Sequence, residues 1–120
     1  MIPVNRQGEV WVFAEQEDGR LHDVSLELCG KARELADRIG VRMGAVLPGA
    51  GVRDLCLTLI GHGADVVYTV DDKRLAHYQT SPYARVVVEL IKKHQPQIVM
   101  YGATPLGRDL APRVASAAQA

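Results

Sequence analysis

The stretch that decides the fold is Gln97–Arg113, QIVMYGATPLGRDLAPR. It begins with four apolar residues, Ile98–Tyr101, a run typical of a short buried strand. After the turn at Gly102-Ala103 a helix is predicted, because Thr104 is a good N-cap and Pro105 suits the first helical position. In parallel sheets, ligands and partners usually meet the protein where a strand ends and a helix begins.

The predicted helix carries further signals in its first two turns. Gly107 lets another backbone or a ligand come close, and Arg108 supplies a fork of hydrogen-bond donors. Asp109 and Arg113 are four apart, which predicts a surface ion pair worth about 0.2–0.5 kcal/mol. Pro112 predicts a kink or an interruption, because proline lacks the N–H that the helix interior needs.

Three more strands are predicted upstream of this stretch. Val10–Ala14, VWVFA, is a continuous apolar run and indicates a strand buried on both faces. Val41–Leu47 is the next, and Pro48-Gly49 is expected to break it. Ala64–Val70 is the third, followed by a long polar loop.

Helices are predicted between the strands, because apolar residues recur there at helical spacing. The three stripes run through residues 28–39, 52–60 and 83–91. Gly40 should end the first helix, and Ser81-Pro82 should begin the third. The alternation predicts an α/β fold, an open parallel sheet with helices on both faces. The chain ends on a helix with no fifth strand, which would leave a sheet edge bare and suggests a fragment.

Composition excludes several classes of protein. The 120 residues suit a single domain spanning 1–120, and 48% are hydrophobic, enough for a core. Basic and acidic residues number 14 each, so nothing favours nucleic acid or an anionic membrane as partner. The apolar runs are too short to span a bilayer, and MIPVNRQGEV lacks a signal pattern, so a cytoplasmic location is expected. Cys29 and Cys56 are expected to be reduced core residues.

One loop resembles a nucleotide-binding motif. Pro48–Gly51 contains G-x-G between a predicted strand and a predicted helix. The third glycine of that motif is replaced by Asp54, so a plain tight turn is the favoured interpretation. Asp71 and Asp72 could face a ligand, but turn chemistry explains them as well.

The remaining polar residues predict no catalytic site. The four histidines share no ligand spacing, so no metal is expected, and His62 is expected to cap a helix end or be solvated. Glu15, Glu17 and Asp18 could form paired carboxylates, but a solvated turn is the favoured interpretation. No catalytic constellation is visible, and the chain is not expected to be an enzyme.

Two segments carry a family resemblance: HGADVVYTVDDKRLAHYQTSPYA at 62–84 and GATPLGRDLAPRVA at 102–115. Together with VWVFAEQEDGRL, SLELCGKARELADRIG and AVLPGAGV, they resemble the first domain of the alpha subunit of the electron-transfer flavoproteins. The resemblance extends from Gly8 to about Ala118, nearly the whole chain.

The resemblance implies a fold and a role. The fold would be an adenine-nucleotide-alpha-hydrolase-like sheet with strand order 3-2-1-4, the family's fifth strand being absent. FAD would be bound mainly by a second domain that this sequence lacks, so no cofactor is expected here. The domain would pack against the beta subunit, which holds AMP or, in bifurcating members, a second flavin. It would thus act as the scaffold of a carrier that takes electrons from acyl-CoA or other dehydrogenases.

The implied strand order also places a crevice. The loops 14–19 and 102–108 would flank it, because strands one and four would be neighbours. Thr104, Gly107 and Arg108 are the predicted contacts to the beta subunit or the flavin domain. The alternative is structural: Thr104 caps the helix, Gly107 packs and Arg108 is solvated.

A different class of protein is a stand-alone adenine-nucleotide-binding protein of the universal-stress type. Such proteins need a glycine-rich phosphate loop after the fourth strand, with Ser or Thr at its end. Here that position reads GATPLGR, with one hydroxyl and a proline, so phosphate binding is predicted to be weak. A small hydrolase or transferase is disfavoured by the lack of a catalytic constellation.

Overall fold

A four-stranded sheet with helices on both faces organises the computed structural model, which describes residues 5–118. The strands are β1 (Val10–Phe13), β2 (Gln16–Glu17), β3 (Arg20–Leu21), β4 (Met43–Gly49), β5 (Val66–Asp71) and β6 (Ile98–Met100). The helices are α1 (Asp23–Ile39), α2 (Leu55–Gly61), α3 (Thr80–His94) and α4 (Pro105–Ala118), with a 3-10 turn at Lys73–Leu75. None of the helices within residues 5–118 is long and apolar enough to cross a membrane.

The strand order confirms the predicted fold class. The sheet runs β5-β4-β1-β6, all parallel, which is the predicted order 3-2-1-4. Trp11 of β1 lies opposite Gly44 of β4 and Val99 of β6. β2 and β3 form a separate antiparallel hairpin, whose turn at Asp18 and Gly19 has positive φ at both residues, as the type I′ geometry requires.

β1 is the centre of the core, because all four of its residues are buried. Val10 and Val12 pack with α1 and α2 on one face of the sheet. Trp11 and Phe13 pack with α3 and α4 on the other face. Cys29 is buried and Cys56 is half-buried, and both are free thiols, as predicted. Gly40 ends α1 with φ 74°, which confirms its predicted role.

The predicted break at Pro48-Gly49 is wrong, because β4 continues through both residues. The Val46 carbonyl accepts a hydrogen bond from the Ala14 N–H, 2.9 Å away. Pro48, two residues later, faces that same side, where β1 has already ended. Its missing N–H therefore interrupts little of the ladder, and Pro48 still pairs with Val70 of β5 on the other side.

Two predictions about α4 differ from the structure. The helix runs without interruption from Pro105 to Ala118, so the predicted interruption after Leu110 is wrong, and a kink at Pro112 stays a prediction. Pro112 is exposed, so water can bond to the carbonyl that loses its donor. Among the ion pairs of residues 5–118, none joins Asp109 to Arg113.

The starts of the other helices also differ from expectation. α3 begins at Thr80 after Gln79, whose side chain makes no capping bond, so Ser81 is not the cap. α2 has only seven residues and begins after Val52. Val52 of the predicted stripe lies before this helix and is buried, whereas Ile60 lies within it and is 49% exposed instead of buried.

Candidate functional site

A crevice of about 770 Å³ lies at the carboxyl ends of β1 and β6. The loop after β1 and the start of α4 line it together, which confirms the predicted juxtaposition of these two segments. Its lining residues come from three segments: Glu15, Gln16, Glu17, Asp18 and His22; Ala76, His77, Tyr78 and Tyr83; and Thr104, Pro105, Leu106 and Asp109. This is the topological switch point of the sheet, since β1 leads to β4 on one side and has β6 on the other.

Glu15 is the buried acid of this crevice. It is only 5% exposed, so the expectation of a solvated turn is wrong for this residue, whereas Glu17 and Asp18 are exposed as predicted. Ser25 of α1 holds its backbone: the Glu15 N–H donates to Ser25 Oγ at 2.7 Å, and Ser25 Oγ donates to the Glu15 carbonyl at 2.8 Å. The side chain is thereby directed inward at the point where β1 ends.

The hydroxyl of Thr104 joins Glu15 to α4. It lies 2.9 and 2.8 Å from the two carboxylate oxygens of Glu15, to which it donates. The same oxygen accepts from the Gly107 N–H at 3.0 Å, which confirms the predicted N-cap. The negative charge of Glu15 therefore lies beside the positive end of the α4 dipole, where it is favoured.

The three predicted contact residues lie close together but differ in exposure. Thr104 is half-buried, Gly107 is buried and Arg108 is exposed. A Cβ on Gly107 would overlap the carbonyl oxygen of Gly102, so only glycine fits this first turn. Arg108 belongs to none of the ion pairs of residues 5–118. Their contact with a partner remains a prediction.

Asp109 of α4 stabilises the wall of the crevice that contains Tyr78. Its carboxylate accepts from the Tyr78 hydroxyl at 2.7 Å and from the Thr80 hydroxyl. The bonds from Thr80 and then Tyr78 lower the pKa of Asp109, while burial and then Asp109 raise the pKa of Tyr78 to about 12. Tyr83 donates to the Leu75 carbonyl at 2.6 Å. These bonds tie the 75–80 segment to α4 and α3.

The loop that resembles a nucleotide-binding motif is occupied by an internal acid. The carboxylate of Asp71 accepts from the N–H of Gly51 at 2.8 Å and from the N–H of Val52 at 3.2 Å. Asp72 accepts from the Arg74 N–H at 2.9 Å, and hydrogen bonding with Arg74 lowers its pKa to about 2. Both aspartates therefore serve turns, as predicted, and the G-x-G segment consists of the last residue of β4 and the bend that follows it.

The crevice residues do not fit the phosphates of a flavin or an adenine nucleotide. Four of the lining side chains are carboxylates, and none is Lys or Arg. Phosphates bind where free N–H groups and cations converge, but here Glu15 faces the start of α4 and Asp71 fills the loop before α2. Within residues 5–118 no three His, Cys, Asp or Glu side chains converge as a metal site. His62 bonds the Thr58 carbonyl at 2.8 Å, the capping role predicted for it.

The two loops that flank the crevice were predicted from the sequence, but the burial of Glu15, the part of Asp109 in the lining and the wall formed by residues 76–83 were not. A glutamate between a strand and a polar turn usually faces water. The available signal was its position directly after a strand that is apolar throughout, opposite a threonine cap. Only the adjacency of β1 and β6 brings these two residues together across 89 positions of sequence.

Comparison with known proteins gives one consistent answer. Residues 10–120 match the family model described as electron transfer flavoprotein domain. The chain is 50% identical over 113 residues to the electron transfer flavoprotein subunit alpha of Thermoanaerobacterium thermosaccharolyticum, covering 94% of this chain and 34% of that protein. It is 41% identical over 111 residues to the protein FixB of Rhizobium meliloti, covering 89% of this chain and 31% of that protein.

A further relative has a more specific name. The acryloyl-CoA reductase electron transfer subunit beta of Anaerotignum propionicum is 37% identical over 113 residues, covering 94% of this chain and 31% of that protein. The chain thus spans about a third of the length of these curated relatives. Because the family model matches nearly the whole sequence and the sheet has the predicted strand order, the chain belongs to the electron transfer flavoprotein domain family.

Proposed function

We propose that residues 1–120 form the N-terminal scaffold domain of an electron-transfer flavoprotein alpha subunit. The domain packs against the beta subunit and supports the FAD-carrying domain during electron transfer from dehydrogenases. The observation that carries this proposal is the 50% identity to a subunit alpha over 94% of the chain, together with coverage of only 34% of that subunit.

The chemistry of the crevice supports a role without catalysis. Two of its four carboxylates, Glu15 and Asp109, accept hydrogen bonds from threonine hydroxyls at helix starts, and its lining does not fit phosphate. FAD supplies the redox chemistry in such carriers when it is bound. The proposal therefore places FAD on the part of the subunit outside this chain, and assigns to this chain the positioning of its partners.

Arg108 is the centre of the proposed contact surface, with Thr104 beside it. Arg108 lies in the first turns of α4, where the helix dipole disfavours a cation, and it is exposed. It belongs to none of the ion pairs of residues 5–118. A cation at this position does not stabilise the helix. This favours a role for the Arg108 side chain in binding a partner protein. Gly107 supports the contact from inside by letting the turn pack on Gly102.

The test is association of the 120-residue chain with the beta subunit from the same organism. We expect a 1:1 complex on gel filtration, with the full alpha subunit as the positive control. Arg108→Glu should weaken the complex at least about tenfold, which corresponds to about 1.4 kcal/mol. Arg85→Glu, at an exposed position of α3, is the matched control and should bind like the parent chain. A folded chain that fails to associate, while the full alpha subunit does, contradicts the proposal.

A second candidate function is the stand-alone adenine-nucleotide-binding protein. The crevice at the switch point, about 770 Å³ in volume, is the observation in its favour. The acidic lining argues against it. Calorimetric titration of the chain with AMP and ATP separates the two functions: micromolar affinity would favour the nucleotide-binding protein, and millimolar or no binding favours the scaffold.

A further inference from the structure

Two oxidisable aromatic rings lie together away from the crevice. Trp11 of β1 and Tyr68 of β5 are on the face of the sheet that α3 and α4 cover, with ring centroids 4.8 Å apart. β4 runs between their strands, and at Gly44 it has no side chain to separate the rings. A Cβ there would lie only 3.0 Å from Trp11 and 3.1 Å from Tyr68. The glycine in the middle strand therefore allows the two rings to approach each other.

Glu9, which directly precedes β1, accepts a hydrogen bond from each ring at the same oxygen. The Tyr68 hydroxyl donates to Glu9 Oε1 at 2.6 Å, and the Trp11 Nε1–H donates to it at 2.9 Å. The first distance is typical of a hydroxyl bonded to an ionised carboxylate. The nearest charged partner, Arg42, lies 3.8 Å from the other oxygen, Oε2. Glu9 Oε1 is thus a shared proton acceptor between two rings that can each lose an electron.

The members of this cluster differ in their access to solvent. Trp11 is 0% exposed, whereas Tyr68 is half-buried. Tyr68 also lies beside the ring of His94, with 4.5 Å between centroids, and His94 is exposed at the end of α3. Among the aromatic pairs of residues 5–118, Tyr68 is the one tyrosine that pairs with Trp11. An electron vacancy on Trp11 therefore has one adjacent tyrosine through which it can reach the surface.

The chemistry of the two side chains gives the transfer a direction. Burial and then Glu9 raise the pKa of Tyr68 to about 12, so the phenol keeps its proton at neutral pH until the ring is oxidised. At that pH, a tyrosine that can give its proton to a base is oxidised more easily than a tryptophan. The transfer of a vacancy from Trp11 to Tyr68 is therefore favourable when Glu9 takes the phenolic proton.

We propose that Glu9, Trp11 and Tyr68 form a radical relay that carries an oxidising equivalent from the buried core to the surface. A strongly oxidising radical, such as the carbonate radical anion, takes one electron from Trp11 and is reduced to carbonate. The indole N–H proton of Trp11 passes to Glu9 Oε1.

Two further steps complete the relay. Tyr68 gives one electron to Trp11, while Glu9 returns its proton to Trp11 Nε1 and takes the phenolic proton of Tyr68. The indole is thereby restored, and the neutral radical lies on Tyr68. A small reductant such as ascorbate then supplies one electron to Tyr68, and Glu9 returns the proton. The relay does not depend on the proposed scaffold function, and its failure would leave that function standing.

Photoionisation of tryptophan starts the relay in the 120-residue chain, because Trp11 is its single tryptophan. The light is chosen so that tyrosine does not absorb it. The neutral indolyl and tyrosyl radicals have separate visible absorption bands, so both can be followed in time. We expect the indolyl band to decay and the tyrosyl band to rise with the same rate constant, independent of protein concentration. The rate should be lower in heavy water, because protons move together with the electron.

Variants identify the two partners of Trp11. Tyr68→Phe keeps the ring and removes the phenol, so it should abolish the tyrosyl rise. Tyr101→Phe is the matched control and should behave like the parent chain, because Tyr101 lies on the same face of the sheet but stacks on Phe13. Glu9→Gln leaves an amide that cannot take up a proton. It should slow the transfer at least about tenfold, since a positioned base contributes about 10²–10⁴-fold to a proton transfer.

Ascorbate tests the surface end of the relay. It should remove the tyrosyl radical of the parent chain faster than the indolyl radical of Tyr68→Phe, because Trp11 is 0% exposed. Circular dichroism checks that each variant is folded. The matched decay and rise in the parent chain, and their slowing in heavy water, require no variant.

Four results would overturn the inference. Indolyl decay without a tyrosyl rise in the parent chain would show that no tyrosine receives the vacancy. A tyrosyl rise that persists in folded Tyr68→Phe would show that another tyrosine receives it. Equal rates and equal heavy-water effects in the parent chain and folded Glu9→Gln would show that the protons do not pass through Glu9. Equal quenching of the two radicals by ascorbate would show that Tyr68 is not a surface exit.

Discussion

Glu15, which follows β1, and Thr104, which follows β6, are connected through a single hydroxyl group. That hydroxyl donates to the buried carboxylate and its oxygen accepts from the Gly107 N–H at 3.0 Å. One side chain therefore satisfies both a helix start and a buried acid. Losing it would leave polar groups unpaired on both sides, and such groups cost more than an average hydrogen bond contributes.

Thr104→Val should lower the free energy of unfolding by about 2–4 kcal/mol, the sum of a lost cap and a buried carboxylate without its donor. Thr104→Ser keeps the hydroxyl and should cost less than about 1 kcal/mol. Urea unfolding followed by circular dichroism measures both. Equal stability of the valine and serine variants would contradict the shared-hydroxyl interpretation.

The tyrosines predict how stability depends on alkaline pH. Burial, followed by Glu9, raises the pKa of Tyr68 to about 12, and burial alone raises that of Tyr101 to about 12. Above pH 10 the unfolded chain loses these protons while the folded chain retains them. Stability is thus fully present below about pH 10 and should fall as the pH rises toward 12.

Urea unfolding at pH 8, 10 and 11 tests this prediction. Tyr68→Phe removes one of the ionising groups and should make the decline above pH 10 shallower, although it also removes the 2.6 Å bond to Glu9. Absorbance at 295 nm follows the phenolates directly. If all tyrosines of the folded chain ionised near pH 10, the predicted decline would have no cause.

Carboxylates serve the starts of the elements along the carboxyl edge of the sheet. Asp71 bonds the loop before α2, Asp109 bonds Thr80 at the start of α3, and Glu15 bonds Thr104 before α4. In each case the acid comes from a different element than the one it serves. Helix starts are the usual places for phosphate in such folds, and here the chain supplies its own anions.

Asp71→Ala tests this arrangement at the level of the element. The N–H groups of Gly51 and Val52 would lose their acceptor, so we expect about 1–3 kcal/mol less stability. Asp54→Ala is the matched control, because Asp54 precedes α2 but makes no side-chain capping bond. It should change stability by less than about 0.5 kcal/mol. A comparable loss in both variants would contradict the assignment.

At the scale of the whole molecule, neutrality and local acidity coexist. The net charge of zero gives no long-range preference for a partner, so recognition has to come from patches such as the crevice and Arg108. The sheet also has two edges, β5 and β6, with no strand of residues 5–118 beyond them. These surfaces are where a scaffold domain would meet other parts of its complex.

The proposed complex should stabilise the whole domain. At a free beta-subunit concentration of about 100 times the dissociation constant, linkage predicts about 2.7 kcal/mol of added stability. Amides of β1 that exchange only on global unfolding should then exchange about 100-fold more slowly. Hydrogen exchange with mass spectrometry isolates this chain's own peptides from those of the beta subunit. Unchanged exchange in β1, at a concentration that forms the complex, would contradict it.

Much of the fold could be predicted from local patterns. Three predictions that depend on neighbours in sequence are confirmed: the strand that begins at Val10, the cap at Thr104 and the helix stop at Gly40. The break at Pro48 is wrong, because it depends on what lies beside the residue in space. The cap at Ser81 is also wrong, since α3 begins one residue earlier, at Thr80. A proline is tolerated in a strand when its missing donor faces no partner.

The candidate site shows the same division. The meeting of the two loops followed from the family's strand order, since it needs only the order of four strands. The ion pair expected between Asp109 and Arg113 failed, because Tyr78 and Thr80, some thirty positions away, bind that carboxylate instead. A local pair on a helix surface is worth so little that distant donors easily replace it.

By itself, the sequence determined the alternation of strands and helices, the end of α1 at Gly40, the cap of α4 at Thr104, and the family. The tertiary structure alone decided where three carboxylates lie and which groups they bond. Glu15 is buried in the crevice, Asp71 bonds the loop before α2, and Asp109 bonds Tyr78 in another wall of the crevice. The reason is physical. Periodicity and capping are short-range properties of the backbone, whereas the partner of a carboxylate depends on which distant donors the sheet brings within about 3 Å.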